Sequence, residues 1–247
     1  MKRCALIALL MLGACASQQP TNSGGESDLR ERARIHTELG AGYYAQKQMG
    51  IALEEFSEAA KIDPNYALAQ NGLGLVYAAL GEDAKADASY KKALQLDPAN
   101  SESRNNYGTF LCSRNRIDES ITQFVEAVKN PLYATPGIAY LNAGVCSLRK
   151  NDTANAEVYL QKALQAQPLL HQAAYQLALI QFNRGKPELA RNYLKNALVS
   201  DPTPEILWLG IRIERLLGDK DAEASYALLL RKKYPNSEQT KALLSGQ

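Results

Sequence analysis

Residues 67–100 read ALAQNGLGLVYAALGEDAKADASYKKALQLDPAN, and the fold of the whole chain is predicted from this stretch. A first helix is predicted to bury one apolar face, made of Leu73, Tyr77 and Leu80. A second helix repeats the spacing of four and three residues with Ala86, Tyr90 and Ala93. Gly74 allows a neighbouring helix to approach closely, Gly81 marks the turn, and Pro98 ends the second helix. Because two helices cannot enclose a core alone, the unit requires copies of itself on both sides.

The same landmarks recur at a period of about 34 residues along the chain. The predicted repeats span 33–66, 67–100, 101–136, 137–170, 171–204 and about 205–235, with a C-terminal cap over 236–247. The pattern resembles the tetratricopeptide repeat (TPR), a helix–turn–helix unit that stacks into solenoids. This resemblance predicts an all-α, right-handed superhelical solenoid of about six repeats, within a domain that covers residues 29–247.

Two repeats depart from the pattern. The third is two residues too long, because NPLYATPG replaces the short link between repeats, and this predicts a kink or an extended connector. The sixth retains Gly218 and Pro235, but we expect its first helix to lack the small-residue landmark. Terminal repeats are often atypical because one of their faces meets water.

The N-terminus predicts a secreted, lipid-anchored protein. Residues 1–14 have the basic start and short apolar run of a signal peptide. The ending LGAC resembles a bacterial lipobox, and this resemblance implies that Cys15 becomes the first mature residue and carries the lipid. The alternative is an ordinary signal followed by a chance cysteine. Because Ala16 rather than Asp follows Cys15, the resemblance implies an anchor in the inner leaflet of the outer membrane, facing the periplasm. Residues 15–28 are predicted to form a flexible tether between this anchor and the repeats.

Charge and residue spacing argue against several functional classes. Without Lys2 and Arg3, 26 basic residues face 26 acidic ones, which gives no electrostatic reason to bind nucleic acid. His36 and His171 lie in different repeats, without Cys, Asp or Glu at metal-ligand spacing. The chain is therefore predicted to need no metal, cofactor or small-molecule substrate, and not to be an enzyme. An enzyme with a cryptic site stays open as an alternative.

Cys112 and Cys146 are the two thiols that remain in the body of the chain. They fall at nearly equivalent places in the first helices of the third and fourth repeats. Behind a secretory signal the compartment is oxidising, which predicts a disulfide between these repeats. The alternative is a pair of buried free thiols.

The first helices of the repeats are expected to line a concave groove for a peptide or a partner helix. Its predicted residues lie in the first three repeats and are Arg34, Thr37, Ala41, Tyr44, Leu68, Asn71, Leu75, Ala78, Asn105 and Thr109. Some TPR domains bind a C-terminal carboxylate with a clamp of Lys, Asn and Arg side chains. This sequence lacks the Lys and Arg of that clamp, because the matching positions hold Thr37, Ala41, Gly72, Ser101 and Asn106. The alternative is that this face is only solvated.

Two further stretches are family-specific, NNYGTFLCSRNRIDESITQFVEAVKNPLY and LWLGIRIERLLGDKDAEASYALLLRKKYP. Together with the lipobox, tether and repeats, they resemble the type IV pilus biogenesis lipoproteins of the PilF/PilW family. The resemblance implies a pilotin, which helps the secretin, the outer-membrane pore of the pilus, to reach the membrane or to multimerise. The expected partner is therefore the secretin protein. A general TPR scaffold for another cell-envelope assembly machine is the alternative.

Overall fold

The computed structural model describes residues 23–198 and 201–246. Within these ranges the chain forms thirteen helices and no strand, as the repeat pattern predicts. In chain order they are α1 (Ser23–Ala45), α2 (Met49–Ile62), α3 (Ala67–Ala79), α4 (Asp83–Leu96), α5 (Ser101–Ser113), α6 (Ile117–Ala127), α7 (Pro136–Arg149), α8 (Thr153–Ala166), α9 (His171–Asn183), α10 (Pro187–Ala197), α11 (Pro204–Leu217), α12 (Lys220–Lys233) and α13 (Glu238–Leu244). None of the helices in this part of the chain is long and apolar enough to cross a bilayer.

Each helical hairpin is held by a small residue that faces a large side chain sixteen positions later. The glycine–partner pairs are Gly40–Phe56, Gly74–Tyr90, Gly108–Phe124 and Gly144–Leu160. A Cβ added at Gly74 would lie 2.7 Å from ring carbons of Tyr90, so only glycine admits the ring at this distance. Since Tyr90 is 1% exposed, the ring fills the interior of its hairpin. The recurring spacing sets how closely the two helices of each repeat pack.

The sixth repeat has the same device, so the expectation that it lacks a small-residue landmark is wrong. A Cβ added at Gly210 in α11 would lie 3.0 Å from the Tyr226 ring, and Tyr226 again follows sixteen positions after the glycine. Gly218 lies at the end of α11 with φ of 76°, a left-handed conformation that suits glycine at a helix end. The large aromatic partner in α12 requires the close approach that Gly210 provides.

The third and fourth repeats are joined by an extended connector, in agreement with the length of the third repeat. Residues 128–135 separate α6 from α7, whereas only residues 63–66 separate α2 from α3. Within the connector, the Leu132 amide donates to Asn130 Oδ1 at 2.9 Å, and the Leu132 side chain is 87% exposed.

The predicted tether is shorter than expected, because α1 already begins at Ser23 rather than after residue 28. Asp28 lies near the start of this helix, where a negative charge interacts favourably with the helix dipole. The remainder of the tether and the signal peptide, including Cys15, lie outside the described residues.

A hydrogen-bond network on the outer side joins α4, α5 and α6. The Asp87 carboxylate accepts bonds from Tyr107 Oη at 2.8 Å, Arg116 Nη1 at 2.5 Å and Lys91 Nζ at 2.6 Å. Burial acts to raise the pKa of Asp87, but the bonds from Lys91, Arg116 and Tyr107 outweigh burial and lower that pKa. The network therefore stabilises the ionised carboxylate.

The helices form two rows. The backbone of each odd-numbered helix packs against that of the next odd-numbered helix, from α1 to α13. Within the described ranges the backbones of the even-numbered helices are not in contact, although side chains such as Arg116 and Asp87 reach between them. The odd-numbered helices are therefore the closer-packed inner row, and the even-numbered helices form the wider outer row. Alanines with no exposed surface fill the space between the rows, among them Ala52, Ala86, Ala139, Ala163 and Ala190.

Candidate functional site

The candidate site is the inner groove. We define it as the surface of the inner-row helices that faces away from the outer row, on α1, α3, α5, α7, α9 and α11. All ten residues predicted for the groove lie on α1, α3 and α5 of this inner row. They divide into a charged start on α1, an apolar stretch on α1 and α3, and amides on α3 and α5.

At the start of the groove the polar groups are bonded within the chain. Arg34 pairs with Glu31 at 2.6 Å and with Glu38 one turn further on. The hydrogen bond from Arg34 is the main reason why the pKa of Glu31 lies below its usual value. Thr37 Oγ1 donates to the carbonyl of Ala33 at 2.8 Å. These groups leave little unused hydrogen-bonding capacity at this end.

The apolar stretch is partly used for packing between repeats. Tyr44 packs against the core cluster that contains Val76, and both Leu75 and Ala78 pack against the cluster that contains Phe110. Leu68 is 38% exposed, and Ala41 is exposed, so these two side chains face the open groove. The stretch therefore presents a shallow apolar surface.

Asparagine side chains link consecutive inner helices at the middle of the groove. Asn106 Nδ2 donates to Asn71 Oδ1 at 3.4 Å, and Asn142 Nδ2 donates to Asn105 Oδ1 at 3.0 Å. Each pair uses one donor and one acceptor. Asn71 is buried at 7% exposure, whereas Asn105, Asn106 and Asn142 are half-buried. The remaining amide groups of these three make no hydrogen bond to another described residue, so they can donate to and accept from a peptide backbone. Thr109 beside them is exposed and donates to the carbonyl of Asn105 at 2.9 Å.

The structure brings Cys112 of α5 and Cys146 of α7 together as a disulfide pair. Their Cα atoms are 6.0 Å apart, within the usual range for a disulfide. Cys146 is 1% exposed, and its sulfur lies 3.4 Å from Ser120 Oγ. The pair joins two inner helices across the junction that has the long connector. The groove is therefore cross-linked where its repeats are joined least regularly in sequence.

The C-terminal half of the groove, on α9 and α11, was not predicted. Each asparagine pair joins a residue three positions before the small residue of one repeat to a residue two positions before that of the next. Counted from Ala178 and Gly210 in the same way, these positions hold Tyr175 on α9 and Trp208 on α11. The Arg212 guanidinium lies above the Phe182 ring, 4.5 Å from its centroid. The groove therefore changes from amides to aromatic side chains and one cation. Counting positions within each repeat would have revealed this change from the sequence.

The two histidines are separate and serve as local hydrogen-bond partners. His36 Nδ1 lies 2.7 Å from Glu55 Oε2, and His171 Nδ1 lies 2.8 Å from the carbonyl oxygen of Asn196. Across residues 23–198 and 201–246, no group of three or more His, Cys, Asp or Glu side chains is arranged to hold a metal ion.

Comparisons with known proteins assign the chain to a family. Models described as tetratricopeptide repeat match residues 67–100, 89–122, 111–170 and 175–238, and one described as TPR repeat matches 40–81. The type IV pilus assembly protein PilF of Pseudomonas aeruginosa is 31% identical over 239 residues, which cover 95% of each chain. The chain belongs to the PilF/PilW family.

Solved structures of the PilF/PilW family have the same fold. A structure of Pseudomonas aeruginosa PilF superposes with a TM-score of 0.79 at 29% identity, over 90% of this chain and all of that one. The crystal structure of PilW, described as a widely conserved type IV pilus biogenesis factor, gives a TM-score of 0.74 at 34% identity, over 86% and 98% of the two chains. The similarity to PilF and PilW therefore covers the solenoid as a whole and is not limited to single repeats.

Proposed function

We propose that this protein is an outer-membrane lipoprotein pilotin of type IV pilus biogenesis, which binds the secretin and promotes its outer-membrane localisation and multimerisation. The observation that carries the proposal is the similarity to PilF, a type IV pilus assembly protein, over 95% of both chains. Because the match covers the entire solenoid, it includes every surface that a partner of that family could contact.

The groove gives this function a physical basis. Its asparagine pairs can bond to the backbone of an extended segment, and its apolar stretch can receive side chains. Binding an unassembled secretin subunit lowers its free concentration and with it the rate of misassembly. This role requires no chemical reaction.

The anchor is the second part of the proposal. A lipid on Cys15 holds the protein at the membrane, and the tether before α1 lets the solenoid reach a subunit in the periplasm. Several acyl chains hold a protein firmly, because each buried methylene contributes about 0.8 kcal/mol, whereas a single chain binds reversibly.

The proposal is tested by deleting the protein and measuring secretin multimers in outer-membrane fractions. We expect the multimers to be lost and to return with the wild-type chain, but to return incompletely with Cys15→Ala. A Cys15→Ala protein that still fractionates with the outer membrane would exclude lipidation at that residue. A pull-down from membranes that recovers a barrel-assembly machine without secretin would replace the pilotin by the general scaffold.

A matched pair of variants tests the groove itself. Asn105→Ala removes an amide of the inner groove, and we expect it to weaken secretin capture. Asn192→Ala removes an exposed amide from outer helix α10 and is expected to change nothing. Equal capture by the two variants would show that the amide pairs do not contribute to binding.

A further inference from the structure

Arg212 is the half-buried arginine whose charge has no partner. Four arginines are half-buried in the described ranges, at positions 104, 116, 191 and 212. Arg104 donates to Gln123 and to the Pro98 carbonyl, Arg116 pairs with Asp87 and Glu119, and Arg191 pairs with Glu214. Arg212 donates to no acceptor among the described residues and lies only against the Phe182 ring. A half-buried guanidinium without an acceptor in the protein keeps its N–H donors available for an acceptor that a ligand supplies.

The stacking holds Arg212 in a position suited to binding. A guanidinium whose carbon lies over a ring face accepts no hydrogen bond from the ring and can still donate its N–H groups to a planar acceptor. The nearby acid Glu205 already accepts a bond from Gln239 of α13 at 3.3 Å. Burial raises the pKa of Tyr175 on α9, Glu205 raises it further, and the positive charge of Arg212 acts to lower it.

A small apolar recess lies on the other side of α9. It has a volume of about 310 Å³ and is lined by the apolar side chains of Leu148, Leu179 and Ile180 and by polar ones, which are Thr153, Gln176, Asn183 and Arg184. Leu148 belongs to α7, whereas Arg212 belongs to α11, so the recess and Arg212 lie between α9 and its two different inner neighbours. Neighbouring helices pack about 8–10 Å apart, a distance spanned by about three residues of extended chain.

We propose that the inner groove at α9 and α11 binds an extended peptide segment of the partner through a carboxylate side chain on Arg212, with an apolar side chain about three residues away in the recess. This inference rests on the proposed function and specifies the chemistry of the segment that the groove recognises. A guanidinium fork matches the two oxygens of a carboxylate in a bidentate arrangement. The preceding asparagine pairs bind the backbone of the same segment.

The charge of the groove favours a protein carboxylate over a polyanion. The chain carries 28 basic and 26 acidic residues, and the second arginine near the proposed site, Arg184, is already paired with Glu157. Nucleic acids require many cations along their backbone. A segment that continues from the asparagine pairs across α9 presents its side chains to Arg212, so we assign the carboxylate to Glu or Asp rather than to a chain terminus.

Trp208 provides the experiment with a built-in reporter, because it is the only tryptophan of the chain and lies one turn before Arg212 in α11. The full mature protein in detergent is titrated with an acetylated and amidated octapeptide that contains Leu-Ala-Ala-Glu, and with its Leu-Ala-Ala-Gln counterpart. We expect a saturable change in Trp208 emission and about tenfold tighter binding of the Glu peptide, the size of effect that a charge-assisted bond produces. Arg212→Gln is expected to remove the preference and Arg212→Lys to retain part of it.

Arg32→Gln, an exposed arginine on α1 at the opposite end of the groove, serves as the matched control and should leave the preference unchanged. Circular dichroism and thermal melting of Arg212→Gln verify its fold. Equal affinities of the two peptides for the wild-type protein would overturn the inference. An unchanged preference in Arg212→Gln would overturn it too. Binding only by a version of the peptide with a free terminus would assign the site to a chain end instead.

The same variants separate this inference from the proposed function. If the peptide preference is absent while secretin multimers still depend on the protein, the carboxylate site is wrong and the pilotin function stands. If the preference is present while the multimers form without the protein, the pilotin function is wrong and the site stands.

Discussion

Reducing the Cys112–Cys146 disulfide should destabilise the solenoid by about 4 kcal/mol. The cysteines are 34 positions apart, and the entropy of closing a loop of this length in the unfolded chain gives that value at 25 °C. Reduction removes no side-chain heavy atom, so it creates no cavity at buried Cys146 and the difference reports mainly on the unfolded chain. A substitution of Cys146 would add a cavity contribution to the same measurement.

The assay is urea unfolding followed by far-ultraviolet circular dichroism, with and without dithiothreitol. Because repeat arrays can unfold in segments, the loss should appear in the transition that includes the third and fourth repeats. A Cys112→Ala, Cys146→Ala double variant is the control, since its unfolding curve should not respond to the reductant. Both measurements use the same pH and protein concentration.

Two results would contradict this reasoning. If both thiols react with an alkylating agent in unreduced, urea-unfolded protein, the disulfide is absent. If the disulfide is present but its reduction changes the free energy of unfolding by less than about 1 kcal/mol, then the reduced unfolded chain already holds the two repeats together, and loop entropy is the wrong explanation.

Two further predictions concern the packing and the outer network. Gly74→Ala should destabilise the protein by about 1–3 kcal/mol, because its Cβ would lie 2.7 Å from the buried Tyr90 ring. Gly42→Ala has nothing within 4 Å of its Cβ and should stabilise α1 by up to about 1 kcal/mol. Midpoints of urea unfolding measure both effects, and equal shifts would refute the packing argument. The pKa of Asp87 is lowered from its ordinary value of 3.8, so its network stabilises the fold above that pH and the contribution is lost as pH falls through the lower folded pKa. Unfolding of wild type and Asp87→Asn between about pH 5 and pH 2 should therefore converge at low pH, and a constant difference would exclude this linkage.

The 34-residue period predicted most helix starts closely, because each repeat places its packing residues at fixed positions. Helices α3, α5 and α9 begin at Ala67, Ser101 and His171, the first residues of their predicted repeats. The period also indicated the long connector before α7. Gly210 was missed because the sixth repeat was aligned on Gly218, although the sixteen-residue spacing to Tyr226 is visible in the sequence.

The groove was predicted in part. Asparagines such as Asn105 stand out at surface positions, whereas Tyr175 and Trp208 resemble core residues and are assigned to the groove only when their positions within the repeats are counted. The isolation of Arg212 depends on which acids lie near it in space, and a single sequence does not contain that information.

The two-row arrangement has a mechanical consequence. The backbones of consecutive inner helices are in contact and those of consecutive outer helices are not, so bending of the coil is expected to change the spacing of the outer row more than that of the inner row. The disulfide joins α5 and α7 of the inner row, and Cys146 also lies beside Ser120 of α6. A ligand bound along the inner row would therefore meet the part of the coil whose spacing changes least.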